Sequence, residues 1–299
     1  MTFEQTEAWV RSRLAEGEEI ETVEPLLGGW TSEMRRITVG GPAGRRVLVL
    51  RSFVKPFFVE HAPGLLRREA DILRLLVPTE VPVAELVAVD PTGEHCDHPS
   101  LLMTLLPGGL RLADPGISRP LARQLAAVHR IEPAERPREY QAWTAPELVR
   151  VPERTTRPAL WRAAVDVIRR EPPAYRGVFL HRDFHPGNVL FTGSRISGVV
   201  DWVETSWGPA DLDVAHCSTN LALLHGVPAG TAFAEHYTEA GGRLTPDPDD
   251  HRYWRLLDAL ALAPDAAKVV VPWRTVGRPD LTDELVAARM EDYLAALLA

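Results

Sequence analysis

The stretch that decides the fold of this chain is residues 177–202, which read GVFLHRDFHPGNVLFTGSRISGVVDW. Three short apolar runs alternate with two polar turns, a pattern typical of strands joined by tight connections. The second and third runs flank a Thr-Gly turn, which predicts a β-hairpin. This hairpin would bring Asn188 and Asp201 to the same end of the ladder, with Asp183 on the loop just before it. Two carboxylates and an amide at the mouth of a sheet suit a hard cation and a hydroxyl that needs a base.

Composition and charge narrow the class of protein. The chain has 299 residues, of which 45% are apolar and 25% charged, as in a globular protein with one large domain or two lobes. Its formal charge of −8 argues against nucleic acid or an anionic membrane as the main partner. Cys96 and Cys217 are too few for a disulfide framework or a zinc site. No signal segment or membrane-spanning apolar run is evident, so we expect a soluble, cytoplasmic protein.

Hydrophobic periodicity changes in character near residues 106–109. Before that point we expect a first helix at 2–15 and a second at 65–76. Strand-like runs are predicted at 21–27, 33–39, 46–53, 83–89 and 101–105. These elements form a small antiparallel sheet with one helix inserted after its third strand.

The sequence Leu-Pro-Gly-Gly at 106–109 is the predicted linker, because proline and glycine stop a strand and permit a sharp bend. Beyond it the chain is mainly helical. Helices are expected at 119–131, 159–170, 210–224, 229–240, 249–263 and 282–298.

The polar turn of the central stretch carries a pattern of phosphoryl-transfer enzymes. His181-Arg182-Asp183, with Asn188 five residues after the aspartate, is close to the catalytic loop of protein kinases, and Asp201 stands where kinases carry the aspartate of Asp-Phe-Gly. Asp183 would accept or orient the proton of the attacking hydroxyl. Asn188 and Asp201 would hold Mg²⁺ ions that bridge the triphosphate oxygens, and His181 would order the loop.

Two other classes of function are compatible with the same residues. His181, Asp183 and His185 have the close spacing of a hydrolytic metal site, which would need further ligands from elsewhere in the chain. The candidates for those ligands are His216, His225 and His236. This hydrolase hypothesis does not explain the spacing between Asn188 and Asp201. A kinase-like binding protein without turnover is the third hypothesis, and the intact polar residues argue against it.

With these motifs in place, the chain resembles the aminoglycoside phosphotransferase (phosphotransferase enzyme) family. The resemblance is specific at HRDFHPGNVL, residues 181–190, and at the Val-Val-Asp-Trp that ends at residue 202, and looser over roughly residues 20–225. It implies an α+β, two-lobed, protein-kinase-like fold. The N-terminal nucleotide-binding lobe, an antiparallel sheet plus a helix, would comprise residues 1–106. The larger, mainly helical catalytic and substrate-binding lobe would comprise residues 107–299.

The resemblance also implies roles for residues of the first lobe. The turn containing Gly28 and Gly29 would cover the triphosphate, since glycine lets the backbone approach closely. Arg51 stands where kinases place the phosphate-binding lysine, with Glu69 as its helix partner. The segment Met103 to Leu106, with Met103 and Leu105 as the candidate contacts, would line the adenine pocket.

In the second lobe, the resemblance assigns Asp213 to the family's later aspartate, a structural group that steadies the catalytic loop, with Asp211 as the competing alignment. Arg182 replaces the glycine that is commonest in antibiotic kinases. The implied reaction moves the γ-phosphate of ATP or GTP to a small-molecule hydroxyl. An aminoglycoside-type or other antibiotic is the leading acceptor, and a metabolite or sugar alcohol is the alternative. Glu204 and Asp258 are candidate contacts for a cationic acceptor.

Overall fold

The computed structural model describes residues 3–27, 29 and 32–299. The chain divides into two compact units, Met1–Pro107 with Ser197–Glu204, and Gly108–Ile196 with Thr205–Ala299. The first break falls inside the predicted linker. The sequence placed 197–204 in the second lobe, whereas here this segment belongs to the first unit. It is held there because Val199 N–H donates to Pro82 O at 2.8 Å and Arg68 Nη1 donates to Val203 O at 2.6 Å.

The first unit is built on one antiparallel sheet. Its strands are β1 (Glu19–Pro25), β2 (Glu33–Gly41), β3 (Gly44–Ser52), β4 (Leu86–Asp90) and β5 (Ser100–Thr104), in the spatial order β1-β2-β3-β5-β4. Helix α1 (Glu4–Arg11) precedes the sheet, and α2 (Pro56–Leu76) connects β3 to β4. Alternating residues of β2 and β3, including Ile37, Leu48 and Leu50, are buried together with Trp9 of α1. The predicted antiparallel sheet with one inserted helix is confirmed.

Helix α2 begins nine residues earlier than the expected helix at 65–76, at Pro56. Proline is well placed at the first helical position, where its missing N–H would have no intrahelical partner. Pro63 lies inside the helix and removes one internal hydrogen bond. The helix continues through it because Ala62 and Leu66, on either side, are fully buried. Packing therefore outweighs the local proline signal.

The second unit is mainly helical, as expected. Its helices are α3 (Ser118–His129), α4 (Pro158–Ile168), α5 (Ala210–His225), α6 (Val227–Glu239), α7 (Pro248–Leu260), α8 (Ala267–Thr275) and α9 (Asp283–Leu298). Helix α5 is buried on every side from Ala210 to Leu224, so it is the central helix of this unit. The sequence predicted all of these helices except α8.

Short strands support the central motif. Strand β6 (Gly177–Leu180) pairs antiparallel with β9 (Ser206–Pro209), which the sequence did not predict. Strands β7 (Val189–Thr192) and β8 (Arg195–Val199) form the predicted hairpin. Within the described residues, no helix combines the length and the apolar character needed to cross a membrane.

Candidate active site

In the first unit, one buried arginine contacts two carboxylates. Arg51, near the end of β3, places Nη1 2.9 and 3.0 Å from the two carboxylate oxygens of Glu69 on α2, and 3.1 Å from Asp201 Oδ1. The Arg51 and Glu69 side chains are 5% and 2% exposed, whereas Asp201 is 31% exposed. Burial opposes the charge on Arg51, but the carboxylates of Asp201 and Glu69 raise its pKa above the ordinary value. Burial raises the pKa of Glu69 against the attraction of Arg51.

Asp201 has a backbone φ of 65°, in the left-handed region that residues with a Cβ seldom adopt. Such a conformation costs on the order of 1 kcal/mol and persists only where surrounding contacts fix it. The contact with Arg51 supplies one of these constraints. With one guanidinium shared by two carboxylates, the cluster has a formal excess of negative charge, and its partly exposed member is Asp201.

The residues expected to bind the nucleotide occupy the same unit. Gly29 has a φ of +75°, and a Cβ there would lie 2.8 Å from Met34 Cγ and 2.9 Å from Ser32 O, so the position requires glycine. Gly28 lies outside the described residues. Met103 is half-buried in β5, and the half-buried Leu105 donates its backbone N–H to Val47 O at 3.1 Å. Their nucleotide contacts stay predictions.

In the second unit, Asp213 orders the loop that follows β6. Its Oδ2 accepts the backbone N–H of His181, and its Oδ1 accepts that of Arg182, each at 2.8 Å. The ring of His129 lies 3.1 Å from Oδ2. Burial acts to raise the pKa of Asp213, but the hydrogen bond and charge of His129, with His181 and Arg182, lower it overall. Asp211 instead contacts His251 Nδ1 at 2.7 Å.

Arg182 adopts a backbone conformation that glycine reaches more readily than residues with a Cβ. Its φ is 74°, and the bond from its backbone N–H to Asp213 helps to fix this left-handed conformation. The side chain is buried, and its guanidinium carbon lies 3.8 Å from the ring centroid of Trp143. Its Nη1 lies 3.8 Å from Asp258 Oδ1. Stacking on Trp143 and the charge of Asp258 therefore hold the arginine side chain, although its backbone is in the unfavourable left-handed region.

The predicted base, Asp183, is held at both carboxylate oxygens. Asn188 Nδ2 donates to Oδ2 at 3.0 Å and to the backbone oxygen of Asp183 at 2.9 Å. His216 Nε2 lies 3.1 Å from Oδ1, and His185 Nε2 lies 3.7 Å from the same oxygen. The buried His181 accepts the backbone N–H of Asp183 on Nδ1 at 3.2 Å, consistent with its predicted ordering of the loop. Because the amide nitrogen of Asn188 makes both bonds, the amide oxygen is the atom of this side chain that can ligate a cation.

The sequence did not assign His216 to the kinase site. It lies on α5, where its Nδ1 is 3.0 Å from Asp258 Oδ1 and its Nε2 faces Asp183. Burial acts against the charged ring, but the carboxylates of Asp258 and Asp183 raise the pKa of His216 to about 10. Burial also acts to raise the pKa of Asp183, yet the electrostatic attraction of His185, His216 and His181, with the hydrogen bond of His216, holds it well below its ordinary value. The spacing Asp213-x-x-His216 is the one sequence signal for this residue, since residues three apart share a helix face.

The two candidate contacts for a cationic acceptor lie in different settings. Asp258 is 2% exposed, and its oxygens contact His216 Nδ1 at 3.0 Å and Thr219 Oγ1 at 2.9 Å. Its carboxylate therefore lies behind His216, on the side away from Asp183. Glu204 is half-buried in the first unit. Contact of either residue with an acceptor stays a prediction.

The histidines near Asp183 also bear on the hydrolase hypothesis. Asp183, His185 and His216 offer ligand atoms within 4.8 Å of one another, so His216 takes the place that the hypothesis gave to His181. Gly187 N–H donates to His185 Nδ1 at 3.0 Å, which places the proton of the neutral ring on Nε2, the nitrogen nearer Asp183. A nitrogen that carries a proton has no lone pair for zinc. The cluster therefore fits a hydrogen-bond network better than a zinc site.

Comparisons with known proteins identify the family and the fold of the chain. The family model for the phosphotransferase enzyme family matches residues 22–257. No curated protein sequence matches the chain. A thermostable mutant of aminoglycoside phosphotransferase APH(4)-Ia, in a ternary complex with AMP-PNP and hygromycin B, has a TM-score of 0.65 at 19% identity over 98% of each chain.

Two further solved structures share the fold. Macrolide 2'-phosphotransferase MphH from Brachybacterium faecium has a TM-score of 0.57 at 18% identity, over 96% of this chain and 98% of that one. Amicoumacin kinase hAmiN, in complex with AMP-PNP, Ca²⁺ and Ami, has a TM-score of 0.60 at 13% identity, over 97% of this chain and 96% of that one. At these identities the likeness establishes the two-lobed, kinase-like fold.

Proposed function

This chain belongs to the phosphotransferase enzyme family and is a small-molecule kinase, and we propose that it moves the γ-phosphate of ATP to a hydroxyl group of a small-molecule antibiotic. The observation that carries the proposal is the Asp183 carboxylate, bonded at one oxygen by Asn188 and lying 3.1 Å from His216 at the other. It stands on a loop whose backbone N–H groups are bonded to the buried Asp213. A carboxylate fixed in this way is suited to orient a hydroxyl.

In the proposed reaction, the acceptor hydroxyl donates a hydrogen bond to Asp183. Its oxygen attacks the γ-phosphorus, the new O–P bond forms, and the bond from phosphorus to the bridging oxygen breaks, so that ADP leaves with that electron pair. The hydroxyl proton passes to Asp183. Because the surrounding histidines hold the pKa of Asp183 low, proton transfer comes late, after most of the O–P bond has formed.

The proposal includes Mg²⁺ as the metal, with Asn188 and Asp201 as the residues that would hold it. Both supply hard oxygen donors, and the net negative charge of Arg51, Glu69 and Asp201 together suits a divalent cation. When bound, the metal would neutralise charge on the triphosphate. Arg51 would contact the α- and β-phosphates, and Gly29 would let the backbone approach them.

An antibiotic acceptor is supported by the similar structures, which comprise a complex with hygromycin B, a macrolide phosphotransferase and an amicoumacin kinase. The surroundings of Asp183 are compatible with a ring-bearing acceptor. Trp143 is 38% exposed and lies edge-on to His216, with ring centroids 5.1 Å apart. A partly exposed indole beside His216 is suited to pack against an apolar face of the acceptor. A metabolite or sugar alcohol is the alternative acceptor.

The test measures ADP release with ATP or GTP, with and without Mg²⁺, against hygromycin B, a macrolide, amicoumacin and a sugar alcohol. We expect Mg²⁺-dependent ADP release that rises when one antibiotic is added. Asp183→Asn should lower that rate at least 100-fold while ATP binding stays within threefold. Asp166→Asn, at a carboxylate that is 70% exposed, is the matched control and should be unchanged. Absence of Mg²⁺-dependent nucleotide binding, or an undiminished Asp183→Asn variant, would refute the proposal.

A further inference from the structure

We propose that His216, held in turn by Asp258, is a positioning residue for Asp183 that fixes the plane of its carboxylate for the acceptor hydroxyl. The inference rests on the proposed role of Asp183 as the group that receives the hydroxyl proton. It adds two buried side chains that the sequence motif does not contain, Asp258 on α7 and His216 on α5, which form a row that ends at Asp183 on the loop after β6.

The geometry of the row is continuous. His216 Nε2 is 3.1 Å from Asp183 Oδ1, and Nδ1 of the same ring is 3.0 Å from Asp258 Oδ1. Thr219 Oγ1 donates to the other oxygen of Asp258 at 2.9 Å. Both nitrogens of this buried ring therefore face carboxylate oxygens, and both act as donors when the ring is protonated. Asn220 Nδ2 also lies 3.2 Å from Nε2, but it donates to the backbone oxygen of His216 at 2.8 Å, which leaves Nε2 free to donate to Asp183. The edge contact with Trp143 further limits rotation of the ring.

The second donor matters because the terminal torsion of an aspartate side chain is broad. Asn188 alone, bonded to Oδ2, leaves the carboxylate able to rotate about that contact. His216 bonds the other oxygen from a different element, so the two contacts together define one orientation. Misplacement of a reacting group by 1 Å can cost about 100-fold in rate. His216 is thus expected to act on kcat through Asp183 without contacting ATP.

The charges around His216 are compatible with this role. Asp183 and His185 face it from the loop, Asp258 faces it from α7, and Arg182 lies 3.8 Å from Asp258. The two carboxylates raise the pKa of His216 to about 10 from an ordinary value of 6.5. Because this pKa is raised, the stability that the charged contact contributes is greatest below pH 6.5, whereas the contact itself persists in the folded protein until the pH rises through about 10. The kcat of the wild type should therefore fall on that alkaline side.

Two substitutions separate positioning from packing. The amide nitrogen of glutamine can take the place of Nε2, whereas that of asparagine can take the place of Nδ1. With the best acceptor from the panel, we expect His216→Asn to lower kcat about 100-fold and His216→Gln only about tenfold. KM for ATP should stay within threefold in both, and the alkaline decrease near pH 10 should disappear in both.

The matched control is His251→Gln. His251, on α7, lies 2.7 Å from Asp211 on α5, so it also links these two helices through a buried carboxylate, but none of its contacts is with Asp183 among the described residues. The His251→Gln variant should lose about as much stability as the His216 variants, while its kcat stays within twofold of the wild type. Equal kcat values for His216→Asn, His216→Gln and His251→Gln would refute the positioning role.

A second readout needs no acceptor. In ¹⁵N NMR of the histidine rings, we expect His216 to be protonated at pH 8 in the wild type. Asp258→Asn should move its pKa toward 6.5. A neutral His216 ring at pH 7 in the wild type would overturn the inference. If the wild type transfers phosphate to no acceptor at all, the proposed function fails, while this titration still decides how His216 is held.

Discussion

We expect Asp213→Asn to destabilise the protein by about 3 kcal/mol and to lower kcat about 100-fold. Asp213 is fully buried on α5 and accepts the backbone N–H groups of His181 and Arg182, each at 2.8 Å. The third contact, with His129 Nε2, is 3.1 Å long. All three contacts have a charged acceptor, and the two backbone bonds fix the start of the loop that carries Asp183.

The expected loss of stability follows from which contacts of Asp213 an asparagine side chain can still make. Its single oxygen can accept one of the two backbone N–H groups, while its NH₂ group faces the other as donor against donor. A buried donor left without an acceptor costs about 1–3 kcal/mol, and the remaining bonds lose the strength that the charge gave them. Arg182, with its φ of 74°, also loses part of the constraint on its strained backbone. We therefore expect the loop to relax and Asp183 to move.

Urea denaturation measures the loss of stability, and steady-state ADP release measures kcat. Asp211→Asn is the control, because Asp211 is also buried at the start of α5 but contacts His251 and the backbone N–H of Thr245. It should lose comparable stability with kcat unchanged. An Asp213→Asn variant within 1 kcal/mol and threefold of the wild type would refute the reasoning.

The difference in stability between the wild type and Asp213→Asn should depend on pH in a defined direction. The pKa of Asp213 is lowered by folding from an ordinary value of 3.8, so its contribution is present above that pH and is lost as the pH falls through the folded pKa. The stability difference between wild type and Asp213→Asn should therefore be constant above about pH 5 and shrink in more acidic solution. A difference that grew on acidification would contradict the assigned direction of the pKa.

Three further predictions concern the first unit and the metal. Arg51→Ala should weaken ATP binding more than tenfold, as measured by calorimetry. Arg45→Ala, at an exposed position of the same strand, should leave ATP binding unchanged. Asn188→Ala should raise the Mg²⁺ concentration for half-maximal ADP release about tenfold, and Asn188→Asp should keep Mg²⁺ binding but lose kcat, because it no longer donates to Asp183. Gly29→Ala should weaken ATP binding severalfold, while Gly44→Ala, whose added Cβ meets no neighbour within 4 Å, should cost about 1 kcal/mol of stability only. Unchanged ATP binding in Arg51→Ala or Gly29→Ala, or an unchanged Mg²⁺ requirement in Asn188→Ala, would contradict the corresponding role.

Local patterns were enough to predict most of the fold. Alternation of apolar residues marked the strands of the first unit, and helical periodicity marked the helices of the second. Helix α8 was missed because Val269–Val271 is a β-branched run and Pro272 follows it, both unfavourable for a helix. It forms because Val270 and Trp273 are buried in the core of the second unit. Strand β9 was missed because its partner β6 is distant in sequence, and four residues ending in Gly-Pro carry no strand pattern.

The candidate site shows the same contrast between residues that are close in sequence and residues that only tertiary packing brings together. Asp183 and Asn188 lie five residues apart on one turn, so their spacing in the sequence already defines their proximity. His216 and Asp258 lie 42 residues apart on two helices, and no local pattern states which histidine meets which aspartate. The choice of Asp213 over Asp211 likewise depended on which carboxylate of α5 faces the loop. Sequence therefore predicted the motif, and tertiary packing supplied the residues that hold it.

The pairing of β6 with β9 has a consequence for how this region can change in length. Leu180 lies opposite Ser206 in that ladder, so the chain between them is a closed loop with both ends fixed. An insertion close to either end of this loop would change the number of residues between the β6–β9 ladder and Asp183 or Asp201, and so would displace that side chain. At the far tip, Gly193 is exposed, and a Cβ there would meet nothing within 4 Å. Extra residues, a peptide tag or new chain termini should therefore be tolerated at this tip, and natural length variation should accumulate there.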